Sequence, residues 1–193
     1  MYPNAEQQRA LACQFGCSRF VYNYFLRERM NFYAAHKGEA KQGLNYNDTA
    51  AMLTALKCQP EYPWLKDVNA QALQQALKDP DTAYANFFAG RAAFPKFKQR
   101  RDKQAFRVPQ SFRLAPRLGW LTLPKLEPIK IVVHRPVIGS LKSVTVSRTP
   151  AGRYFASILC EIEVDCAPKR HGKERGVDLG LKSFFRHVGG REG

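Results

Sequence analysis

Two hydrophobic periods divide this chain of 193 residues, and the change between them near Phe112 limits the fold more than any other feature. Ahead of it, apolar residues recur every three or four positions, the repeat of a helix with one buried stripe. Behind it they recur every second position and are rich in β-branched types, the repeat of strands. Helices gathered in front of strands predict an α+β fold.

The helical part begins at Asn4, where Gln7 three positions later makes a capping box. Leu11, Phe15, Tyr22, Phe25, Leu26, Met30 and Tyr33 then carry one helix towards Lys37 and Gly38, with Gly16 as a point of interruption. Arg19, Asn23, Arg27 and Arg29 fall among these rings and predict the exposed side of that helix. Asn47 or Asp48 is expected to cap a second, short helix through Met52, Leu53 and Leu56, and Asn69 to start a third through Ala72, Leu73, Ala76 and Leu77. Pro80 lacks an N–H for the preceding turn, so a break or a kink is expected at 79–81, with Asp79 a candidate cap for a new helix that has Pro80 at its first position and Tyr84, Phe87 and Phe88 on its apolar side.

In the rear part, 120–123 and 129–134 are short strand candidates, and 140–148 is followed by the turn signal T-P-A-G. Tyr154, Ala156, Ile158, Cys160, Ile162 and Val164 alternate with Phe155, Ser157, Leu159, Glu161 and Glu163, which predicts the second arm of a long antiparallel hairpin within a small barrel or curled sheet. A basic linker spans 167–175, and Val177 and Leu179 share a strand face with Asp178 on the other. After Phe185 the periodicity stops, so an unstructured end is expected.

Between helices and strands lies the densest charge, N-F-F-A-G-R-A-A-F-P-K-F-K-Q-R-R-D-K-Q-A-F-R-V-P-Q-S-F-R at 86–113. Arg91, Lys96, Lys98, Arg100, Arg101, Lys103, Arg107 and Arg113 face one acid, Asp102, and alternate with Phe94, Phe97, Phe106 and Phe112. Cations neutralise phosphates and release condensed counterions, while rings offer stacking faces to unpaired bases or anchor the segment to a core. A solvated basic linker is the plainer reading. The whole chain carries +15 at pH 7, a field that attracts polyanions. Nucleic acid fits it better than an anionic membrane, because the basic residues do not gather on one amphipathic helix.

The cysteines are Cys13, Cys17, Cys58, Cys160 and Cys166, an odd number at irregular spacing, as expected of a reduced, cytoplasmic protein. Cys13 and Cys17 share a helix face and, with His36, sketch a metal site, but no second close pair completes a tetrahedron.

Six segments in order, F-G-C-S-R-F-V-Y-N-Y-F-L, Y-P-W-L-K-D-V, A-L-Q-Q-A-L-K-D, N-F-F-A-G-R-A-A-F-P-K-F-K, S-V-T-V-S-R and G-V-D-L-G-L-K-S-F, resemble the TnpB (OrfB) proteins of bacterial insertion sequences, RNA-guided DNA endonucleases. The resemblance implies a helical recognition region with a helix-turn-helix label at 1–88, inserted into a wedge-like β-barrel that with the basic segment covers 89–166. It further implies the linker at 167–175 and, at 176–193, the truncated start of a RuvC-like nuclease. It makes Asp178 the first of three carboxylates that hold magnesium, leaving the other two and the zinc ribbon outside this sequence, so cleavage by this chain alone is not expected. The implied partners are a guide RNA and double-stranded DNA with a short adjacent motif, the latter read by Gln74, Gln75 and Lys78, and no membrane. Two rival readings are a nuclease completed by a second polypeptide and a decayed reading frame. The sequence departs from the family in lacking the strand ahead of the L-Y-P motif, and in Pro80, where a helix normally runs on.

Overall fold

The capping box forms at the start of the first helix: Asn4 Oδ1 accepts from the Gln7 amide at 2.8 Å and Gln7 Oε1 from the Asn4 amide at 3.0 Å. This computed structural model describes residues 1–38, 43–163, 177–180 and 183–187, the last two stretches by backbone alone. They belong to two compact units, Met1–Ile162 and Glu163–Gly193.

Helix α1 runs Ala5–Ala35 without a break. Gly16 does not interrupt it, because Phe15 and Cys17 on either side are buried, and their packing outweighs the roughly 1 kcal/mol that a helical glycine costs. Beyond Leu26 the only buried residue of α1 is Arg29, so Met30 and Tyr33 are exposed although they continue the apolar spacing. Helix α2 spans Tyr46–Leu56 and is capped by Asn45, two residues ahead of the expected position. Asp48 sits at the third helical residue and closes a second capping box, with its carboxylate on the Asn45 amide at 2.9 Å. A single 3-10 turn, Pro63–Lys66, seats the fully buried Leu65.

Helix α3 runs Ala70–Phe88, and Asn69 caps it by accepting from the Gln71 and Ala72 amides at 2.8 and 3.1 Å. It continues through Pro80, so of the expected alternatives the break, with a new cap at Asp79, does not occur. An interior proline costs about 3 kcal/mol in lost hydrogen bond and clash. Here the ring is buried beside Ala76 and Leu77, and one residue later Asp81 pairs with Arg29 of α1 at 2.5 Å. Packing on both sides of the proline therefore holds the helix in one piece.

The strands of the first unit are β1 (Gln104–Val108), β2 (Arg113–Ala115), β3 (Trp120–Thr122), β4 (Ile129–Lys130), β5 (Ser140–Arg148) and β6 (Tyr154–Glu161). The expected hairpin is present as β5 and β6, and β1 joins the other side of β5, giving the antiparallel order β1-β5-β6. Gly139, at φ 86°, leads into β5 where a Cβ would lie 2.1 Å from the Glu161 carbonyl oxygen, so only glycine fits. The shorter β2, β3 and β4 make a second sheet, and Tyr2 bridges to Lys130 beside it. In the first unit the strands make two three-stranded sheets, and no closed barrel is formed among the described residues. The chain reverses between β1 and β2 at Ser111, whose φ is 63°, and β2 then pairs with β3 instead of extending the first sheet.

Both sheets bury their inner residues in one cluster with Leu11 and Phe15 of α1 and Ala72 of α3, including Phe106, Val108, Leu121, Ile129, Val144 and Val146. A second cluster lies among the helices, where Val21, Phe25, Leu53, Leu56, Leu65, Leu73 and Leu77 meet. Thus α3 contributes to both. In the second unit β7 (Val177–Gly180) pairs antiparallel with β8 (Ser183–His187). Arg186 and His187 are therefore strand residues, although periodicity placed them in an irregular end; residues 188–193 and the linker 167–175 lie outside the described residues.

Candidate nucleic-acid interface

The basic segment leaves α3 through Gly90, which turns the chain at φ 68° while the Arg91 amide donates to the Asn86 carbonyl at 2.8 Å. It is then fastened to α1 by side chains far away in sequence. Asn23 donates to the Lys98 carbonyl at 2.9 Å and accepts from the Lys98 amide at 2.8 Å, so one amide side chain pairs with both backbone groups of a residue. Arg19 Nη1 donates to Gln104 Oε1 at 2.6 Å. The same Gln104 donates through Nε2 towards the carbonyls of Gln99, Arg100 and Asp102, and the Asp102 carboxylate accepts from the Gln99 amide at 2.8 Å. The single acid of the run is thereby spent on closing the turn that carries Arg100 and Arg101.

All eight cations of the segment are exposed, but they are not equivalent. Lys98 lies 3.0 Å from the Asp79 carboxylate with its ammonium over the Tyr22 ring, 4.1 Å from the centroid. Arg107 donates to Gln75 Oε1 at 2.8 Å. For Arg91, Lys96, Arg100, Arg101, Lys103 and Arg113, no side-chain hydrogen bond or ion pair is formed among the described residues. These six are the ones available to phosphates. On α3, Gln74 and Lys78 are exposed, Lys78 over the Tyr46 ring at 5.0 Å, whereas Gln75 is half-buried with its carbonyl oxygen held by Arg107. Gln75 and Arg107 thus act as one unit joining α3 to β1.

The phenylalanines divide likewise. Phe106 is buried with its ring 5.1 Å from Phe15, and Phe112 packs on the same core. Phe94 and Phe97 keep nearly half their surface exposed, and Phe88, read from sequence as the apolar side of a helix, is 79% exposed. Arg19 and Asn23, read as solvent-facing, are the clamps of the segment, and Arg29 is only 8% exposed. The one sequence signal for the clamps is their four-residue spacing, which puts both on one face of α1.

Cys13 is exposed and Cys17 buried, with the Cys17 thiol pushed up to about 11, chiefly by burial and then by Cys13 and Asp67. Burial likewise raises the Tyr22 hydroxyl, with Asp79 adding to the effect. Among the described residues no three His, Cys, Asp or Glu gather as a metal site. Asp178 lies on β7 opposite Arg186 in register. No helix among the described residues is long and apolar enough to cross a membrane.

Residues 1–38 match the family model described as a helix-turn-helix domain, that of OrfB of IS605 elements. In the structure those residues hold one unbroken helix, so the turn that the description implies is absent there. Over 186 residues, 95% of its length, the chain is 39% identical to a protein of Streptomyces pristinaespiralis, and over 180 residues, 93%, it is 38% identical to InsQ of Escherichia coli K12. Both carry the name "Putative RNA-guided DNA endonuclease". The chain spans less than half of each, 45% and 43%. A shorter stretch of 108 residues is 32% identical to virulence protein VsdF of Salmonella dublin and covers 91% of it. The six ordered motifs, the matched helix at the front and identity along nearly the whole sequence agree: the chain belongs to the TnpB (OrfB) family.

Proposed function

We propose that this chain binds nucleic acid, a guide RNA and double-stranded DNA, through α3 and the basic segment. The observation that carries the reading is the set of six unpartnered cations, four of which, Lys96, Arg100, Arg101 and Lys103, lie beside or between the points where Asn23 and Arg19 of α1 clamp Lys98 and Gln104. Clamping matters because ordering a mobile chain on binding would cost about 1–2 kcal/mol per residue fixed, and here much of that cost falls on folding instead. The names of the long relatives support the choice of RNA and DNA as partners. The test is binding to an RNA hairpin and a DNA duplex over a range of salt, where affinity that stays flat would end the electrostatic reading.

In the finer reading, 1–88 is the recognition region, 89–166 the wedge and 176–193 the opening of a RuvC-like domain with Asp178 as its first carboxylate. Gln74, Lys78 and the Gln75–Arg107 unit face the motif beside the target, since Gln and Arg suit adenine and guanine edges. With Gln74, Gln75 and Lys78 all replaced by Ala, preference for that motif is expected to fall about tenfold or more while general DNA affinity changes little. Selection from a randomised duplex library reads this out, and an unchanged preference would make them an ordinary polar helix face.

A productive magnesium pair is not expected here, because Asp178 is a single carboxylate and two ions need several anionic ligands between them. Magnesium keeps much of its water unless several anionic oxygens displace it. The 193 residues assayed alone with guide RNA and magnesium are therefore expected not to nick DNA, and Asp178→Ala to leave binding unchanged. Guide-dependent nicking that disappears in Asp178→Ala would refute this and point to carboxylates from a second polypeptide.

A further inference from the structure

At the end of α3, Tyr84, Phe87, Phe88 and Phe94 form a braced group of rings. Phe94 meets Tyr84 and Phe87 edge-on, with centroids 5.6 and 5.3 Å away, and Phe88 lies nearly parallel to Tyr84 at 6.3 Å. Three of the rings are partly or largely covered, whereas Phe88 is the most exposed large apolar side chain of the described residues. A ring left in water forgoes its burial free energy, which a bound partner would recover.

The surroundings say which occupant. Between Asp81 and Asp102 there is no acid, while Arg91, Lys96, Lys98, Arg100 and Arg101 are cationic. The hydrogen bond from the Arg91 amide to Asn86 keeps Arg91 beside the last turn of α3, next to Phe88. An apolar partner protein would leave these charges uncompensated. An unpaired nucleotide meets both features, its base on the ring and its phosphate on the cations. Paired DNA meets only the second, because its bases are already stacked on one another.

We propose that Phe88 is a stacking platform for an unpaired base of RNA, with Arg91 and Lys96 as its phosphate contacts. The assignment rests on the nucleic-acid reading above and narrows its RNA ligand to an unpaired base, held at the end of α3 about 20 Å along the helix from Gln74. The phenyl ring has only two rotatable side-chain bonds, so little side-chain freedom is lost on stacking.

The test compares Phe88→Ala, Phe88→Trp and the parent 193-residue chain on a short oligouridylate strand and on a DNA duplex. Phe88→Ala is expected to weaken oligouridylate binding about tenfold, as loss of one base–aromatic stack does, and to leave the duplex unaffected. Phe88→Trp is expected to retain or tighten it, and because Phe88 supports no core cluster both variants should melt as the parent does. Unchanged oligouridylate affinity in Phe88→Ala, an equal loss on the duplex, or a change in self-association in place of RNA binding would each overturn the proposal. If Phe88→Ala is silent while reversal of Arg100 and Arg101 weakens both ligands, the platform fails and the nucleic-acid reading stands; if the parent binds neither ligand, both fall.

Discussion

With Arg100 and Arg101 both replaced by Glu, affinity for RNA and for DNA at low salt is expected to fall about a hundredfold. The slope of log affinity against log salt should become shallower by about two. Each phosphate contact contributes close to one condensed counterion, and its release is most favourable when salt is dilute. Two such contacts account for about two decades near 50 mM salt, and the four added units of negative charge work in the same direction. The turn itself should survive, since it is closed by Gln104 and Asp102 through backbone groups and uses neither arginine side chain. Lys98→Gln is the internal control: its ammonium is already shared by Asp79 and the Tyr22 ring, so it should change affinity far less. A reversal mutant that binds as tightly as the parent, with the same salt slope, would place the interface elsewhere.

Leu73→Ala is expected to destabilise the first unit by about 2–5 kcal/mol, enough to lower its melting temperature by roughly 5–15 °C. Leu73 has no exposed surface and packs with Val21, Phe25 and Leu77 where α1, α2 and α3 meet. The loss combines transfer of the removed carbons with the cavity left behind, and long helices pinned at both ends have little room to collapse into it. Its neighbour Gln74 is exposed, so Gln74→Ala should stay within about 0.5 kcal/mol. Chemical denaturation followed by circular dichroism compares the two, and a Leu73→Ala cost below about 1 kcal/mol would mean that this core is loosely packed.

Much of the local structure was legible in advance. The alternation from Tyr154 to Cys160 placed a strand and its half-buried face, and the Asn4 and Asn69 caps each began a helix where a short polar side chain could take up free amides. The capping residue of α2 was misplaced by two or three positions, because Asn45, Asn47 and Asp48 all have the chemistry and only the backbone conformation chooses. Gly16 and Pro80 misled for a related reason: each is a real local cost of about 1 and 3 kcal/mol, and neither cost reveals how much packing opposes it.

Composition and spacing alone determined that this chain would be α+β and strongly basic, with its cations concentrated between the helices and the strands. Those properties depend on residues close in sequence, where geometry is set by the period of the element. Only the tertiary structure decided that α3 continues through Pro80, that the strands divide into two sheets, and that Arg29 is buried against Asp81. It also decided which cations remain free, withdrawing Lys98 and Arg107 from the set and leaving six. The deciding contacts join residues 52, 75 and 85 positions apart, Arg29 to Asp81, Asn23 to Lys98 and Arg19 to Gln104. No local pattern encodes such a pairing, because its partner is brought near only when the whole core closes.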